Sequence, residues 1–179
     1  ELTRDVSAAK RVIATLLATA LVLWAFGVHT FAEAANITDV SVTLTDSAPG
    51  ANSDHTIDFV TPTGIGTSET VVITYPAGFD LSAVTAGDVS IEVDTVNDDA
   101  DWTPTINSGA GTITLTQDSN TVAADGQITV YVGTNAGGAN QIANPASPTN
   151  GNESYEIAIS AGTSDNGYAR VVILDTVLV

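Results

Sequence analysis

From Val12 to Ala32 the chain runs for 21 residues without a formal charge, directly behind Lys10-Arg11. Its centre, Val12 to Val28, is apolar on every side of a helical wheel, and such a helix belongs in a bilayer or inside an assembly. At about 1.5 Å per residue the run reaches about 30 Å, one hydrocarbon thickness. Two readings follow. In the first it is an export signal, with Lys10-Arg11 as basic head and Ala32-Glu33-Ala34 as a small-x-small cleavage site before Ala35. In the second it is a retained helix within residues 1–35, a membrane anchor or filament core. The chain opens on Glu1 rather than Met, so the retained helix is the expectation, with a mature start at or near Glu1.

Charge then divides the chain. Of its four basic residues, Arg4, Lys10 and Arg11 precede the apolar run, and only Arg170 follows it. Residues 36–179 set that one arginine against eighteen acids, a net charge of −17. By the positive-inside rule the acidic part lies outside the cell. Nucleic acid is excluded as its partner, because phosphate contacts need Lys and Arg. Without cysteine the chain has neither disulfides nor a lipoprotein attachment point, and with no lysine after Lys10 the domain cannot form lysine–asparagine cross-links.

Beyond residue 36 the hydrophobic period changes to two. Val40-Ser-Val42-Thr-Leu44 alternates apolar and polar, the pattern of a half-buried strand. Similar strands are predicted at 56–61, 69–75, 88–94, 112–117, 127–133, 155–160 and 168–177. Turn-forming clusters separate them, among them Pro76-Ala-Gly78, Asn107-Ser-Gly109 and Asn166-Gly167. Residues 133–151 read as a long polar loop. The predicted fold is mainly β: a long N-terminal hydrophobic helix (1–35) followed by an antiparallel immunoglobulin-like or jelly-roll sandwich (36–179).

Chemistry-bearing groups are sparse. His55, flanked by Asp54 and Asp58, reads as a solvent-facing strand start, and no G-x-S-x-G elbow accompanies it. His29, near the outer end of the apolar run, reads as interfacial. Asn97, Asp99 and Asp101 place oxygen ligands at alternate positions, a density that calcium favours. An EF-hand would need glycine and glutamate where Trp102 and Ser108 stand, so a solvated acidic turn is the plainer reading and a calcium site the other. Asn36 and Asn152 head N-x-S/T sequons. An enzyme is not expected.

The apolar helix running into an acidic, cysteine-free β-sandwich resembles type IV pilin-like filament subunits, in the archaeal style. The chain lacks the Phe-Thr-Leu-Ile-Glu start of bacterial members. The resemblance implies a homopolymer of copies of this chain, inserted in the cytoplasmic membrane before assembly and extracellular afterwards. Val12, Leu16, Leu17, Leu21, Trp24 and Val28 would bundle in the filament core, and the apolar end Val177-Leu178-Val179 would contact a neighbour. The alternative is a secreted or membrane-anchored cell-surface or envelope-layer protein.

Overall fold

The structure, a computed structural model, describes residues 36–146 and 152–174. Contacts divide the chain into a unit of residues 1–33 and a unit of residues 34–179; the fold described below belongs to the second.

Two five-stranded antiparallel sheets face each other. The first runs in the order β1 (Thr38–Leu44), β3 (His55–Thr61), β9 (Gly126–Val132), β5 (Val89–Val93), β6 (Val96–Asn97). The second runs β12 (Asp165–Leu174), β11 (Asn152–Ala161), β4 (Thr70–Thr74), β8 (Thr112–Gln117), β7 (Trp102–Asn107). A short pair, β2 (Asn52–Ser53) with β10 (Ile142–Ala143), crosses one end.

The period of two builds the core. β3 buries His55, Ile57, Phe59 and Thr61 on one side, and β8 buries Ile113, Leu115 and Gln117. Ile128 and Val130 of β9, Ile73 of β4, and Ile157 and Ile159 of β11 complete a single buried cluster. Each large side chain so enclosed contributes about 1.5–3 kcal/mol. β1 closes the open side against β12: the Ile37 N–H donates to the Asn166 carbonyl (2.9 Å), and the Leu174 N–H to that of Ser47 (2.9 Å). Gly167 makes this approach feasible, since a Cβ there would lie 2.8 Å from the Ile37 Cβ.

The fold expectation needs correction. The described residues contain three 3-10 turns, Ala86–Asp88, Asp99–Asp101 and Thr134–Ala136, and no helix long and apolar enough to cross a membrane. The expected long helix is not seen among the described residues, and residues 1–35 lie outside them. An apolar run of this length does not by itself specify a helix that persists, because the same run with a basic head and a small-x-small exit is an export signal. Val12, Leu16, Leu17, Leu21, Trp24, Val28 and His29 lie outside the described residues, as do Val177, Leu178 and Val179. The immunoglobulin-like label is also unsupported: the sheets are five on five, against four on three in an immunoglobulin constant domain.

Candidate interaction surface

Three buried carboxylates hold the loops in place. Asp88 accepts from the Thr85 N–H and hydroxyl (2.8 and 2.7 Å), the Ala139 and Asn140 N–H groups (2.8 and 2.9 Å) and the Asn140 amide (3.1 Å). Burial opposes its ionisation, but the donors on Asn140 and Thr85 outweigh it and hold the carboxyl far below the usual range. Asp54 accepts from the Thr134 N–H and hydroxyl (2.6 and 2.7 Å) and the Gln141 amide (2.9 Å). Here too burial is outweighed by the donors, and the carboxyl is lowered. Together the two pin residues 134–141 to the first sheet. Asp165 does the same for the turn after β3, accepting from the Thr61 and Thr63 hydroxyls (2.6 and 2.9 Å) and the Thr63 N–H (3.0 Å).

His55 is fully enclosed, not solvent-facing as its sequence neighbours imply. Its ring lies 5.4 Å from Tyr75 and 5.8 Å from Phe79, and Phe79 meets Tyr155 edge-on at 5.5 Å. Neither ring nitrogen has a hydrogen-bond partner in the protein, nor does the Tyr75 hydroxyl. Burial lowers the imidazole pKa to about 4, with the Asp54 charge opposing. The group is a neutral core aromatic.

The acidic turn does not assemble the expected ligand set. Asp99 accepts from the Ile91 N–H (2.6 Å), Asn97 (2.9 Å) and Ser90 (3.1 Å), while Asp101 accepts from Ser119 and Asn120. Asp98 accepts from the Trp102 indole (2.9 Å). Among the described residues no group of three or more His, Cys, Asp or Glu side chains could hold a metal. Of the sequon asparagines, Asn36 is exposed and bridges Asn166, and Asn152 opens β11.

The two outer faces of the sandwich differ in kind. On the first sheet polar groups engage one another: Asp58 accepts from Ser41 and Thr129 (3.3 and 2.7 Å), and Glu92 accepts from Tyr131 (3.2 Å). On the second, the outward residues form rows across the strands. One row is Thr70–Thr116–Thr103. The next is Asn166–Ser160–Val72–Thr114–Thr105, and the third Tyr168–Ala158–Thr74–Thr112–Asn107. None of these side chains is charged, and the one ion pair on this face among the described residues, Arg170 with Glu156 (3.0 Å), lies beyond them toward the open end of the β11–β12 ribbon. The hydroxyls of Thr70, Thr74, Thr105, Thr112, Thr114 and Thr116 make no hydrogen bond to the described residues, whereas Thr103 donates to Asp118 (2.6 Å). The alternation in Thr112-Ile-Thr114-Leu-Thr116 signals an outward threonine line, but the lines that flank it depend on strand order.

A cleft of about 370 Å³ borders this face, lined by Asn36, Ile37, Val40, Asn166, Gly167 and Tyr168. No protein-family model and no curated protein matches the chain. Solved structures do. BslA, a bacterial hydrophobin, is 11% identical with a TM-score of 0.48, over 79% of this chain and 98% of its own. The N-terminal domain of the Streptococcus gordonii adhesin Sgo0707 is 10% identical (TM-score 0.48, 77% and 32%). The RrgB pilus protein of Streptococcus pneumoniae is 13% identical (TM-score 0.42, 73% and 22%). These likenesses lend no support to a type IV or archaeal-style pilin.

Proposed function

We propose that this chain is a cell-surface protein whose β-sandwich is a structural, non-enzymatic module, and that Lys10 to Ala34 is its export signal. The observation that carries this is how soon the domain begins after Ala32-Glu33-Ala34. Asn36 already bridges Asn166, the Ile37 N–H is bonded at 2.9 Å, and the Ile37 side chain is only 6% exposed. Cleavage before Ala35 therefore keeps every described contact by which the chain enters the sandwich. Carboxylates engaged by backbone N–H groups, and a histidine enclosed by aromatics, suit a rigid scaffold better than a reaction centre. Intact mass of the protein recovered from the cell surface tests the reading. A chain beginning at Ala35 is expected, and one that keeps the apolar run would overturn the signal assignment.

Assembly into a homopolymer is a narrower reading. What favours it is the exposed apolar pair on the β11–β12 ribbon, Val172 (44% exposed) and Leu174 (47%). Sedimentation at rising protein concentration is expected to show oligomers that Val172→Asp removes. A monomer at every concentration would leave the isolated module.

A further inference from the structure

Among the described residues the uncharged threonine face has no counterpart on the first sheet, whose outer face carries Asp58 and Glu92. We infer that the outward face of β4, β8 and β7, extended by Ser160, Ala158 and Tyr168, binds a neutral polysaccharide laid across the strands.

Charge selects the class first. With seventeen more acids than bases over residues 36–179, a polyanion is repelled, and a polycation is drawn to the carboxylates of the opposite face. What meets the threonine rows without electrostatic cost is neutral. Hydrogen bonding selects next. Each free hydroxyl donates and accepts, so six of them together match a surface that does both, as a polyol does. An apolar partner would bury them unpaired, which is unfavourable.

Spacing gives the orientation. Neighbouring strands lie about 4.8 Å apart, close to the advance per sugar of an extended pyranose chain. A chain crossing the strands then meets one side chain per ring along Val72–Thr114–Thr105 and along Thr74–Thr112–Asn107. Tyr168 stands at the end of the second of these rows, 59% exposed, where its ring can stack on a sugar face. Val72, Ala158 and the threonine methyl groups offer apolar contact between hydroxyls.

A second copy of the chain fits less well. The thirteen outward positions of the three rows cover roughly 400 Å² at the standard strand spacing and rise, against the ~800 Å² that each partner of a stable interface buries. A long polymer needs no such area, because many domains can hold one chain.

The test is co-sedimentation of the full chain with microcrystalline cellulose, and gel retardation by hydroxyethyl cellulose and by dextran, with polygalacturonate as the anionic control. Retention by at least one neutral polymer is expected, unchanged in 0.5 M NaCl and absent with polygalacturonate. The pair Thr105→Glu/Thr114→Glu should weaken it at least tenfold, and Thr43→Glu on the opposite sheet should not. Thr105→Glu alone, on an exposed edge-strand position, serves if the pair fails to melt cooperatively. The inference is overturned if no neutral polymer retains the wild type, if polygalacturonate retains it equally, or if Thr43→Glu weakens retention as much. It is also overturned if the threonine substitutions abolish a dimer seen by sedimentation, since a second copy then occupies the face.

Discussion

At the scale of single residues, His55 is where sequence context misleads. Two flanking aspartates suggest water, yet the imidazole packs among Tyr75 and Phe79, and burial brings its pKa to about 4. The unfolded chain takes up this proton near pH 6.5, whereas the folded chain waits until about 4. Protonation therefore favours the unfolded state, and stability is lost as pH falls from about 6.5 to 4, by roughly 3 kcal/mol in all. His55→Phe should flatten that slope and add about 1–3 kcal/mol at pH 5 by removing two unpaired polar atoms; urea melts at pH 7 and pH 5 measure both. An unchanged slope would place the acid sensitivity elsewhere. Asp88 has the same sign in a more acidic window. Its lowered pKa contributes stability that is complete above about pH 4 and fades only in stronger acid. Asp88→Asn should cost about 2–4 kcal/mol near neutral pH, because an amide turned toward five donors cannot accept from all of them. Thermal melts of the two proteins give the difference, and equal stability would show that the donors find water instead.

Among the elements, strands with a strict period of two were legible and those that break it were not. β3, β8 and β9 stand within a residue or so of their predicted spans. β7 was missed because Pro104 interrupts it, and proline is tolerated there since β7 is an edge strand, with no further neighbour for the absent N–H. Asn166-Gly167 reads as a turn but lies inside β12; the hairpin turns at 162–164 instead. Gly167 serves the approach of β1, a constraint set across more than a hundred residues and so invisible in local sequence. The threonine face is similar: its alternation is readable, its sheet order is not. Gly167→Val should place atoms against Ile37 and Val40, cost about 2–3 kcal/mol and loosen β1. Hydrogen exchange would then show protection lost at residues 37–42 while β3 and β9 keep theirs. Uniform loss of protection would mean that β1 belongs to the main cooperative unit.

For the whole molecule, charge and packing oppose each other. The domain holds a single cluster of buried aliphatic and aromatic side chains under a surface carrying one cation. The one ion pair among the described residues joins Arg170 and Glu156, 62% and 45% exposed, and such pairs contribute about 1 kcal/mol or less. Its loss to salt is therefore minor. The repulsion among the acids is not, since at 0.01 M salt the Debye length is about 30 Å and charges across the domain feel one another. At 0.15 M it is about 8 Å, and only near neighbours do. The buried carboxylates Asp54, Asp88 and Asp165 are screened less than the exposed acids. Raising NaCl from 0.01 to 0.15 M at pH 7 should thus raise the melting temperature by several degrees, with a smaller further gain up to 0.5 M. Sodium sulfate at matched ionic strength separates screening from general strengthening of apolar burial, which sulfate promotes more than chloride. A melting temperature that falls with NaCl would mean that attraction, not repulsion, dominates the surface, and the picture of a self-repelling acidic coat around a rigid sandwich would have to be given up.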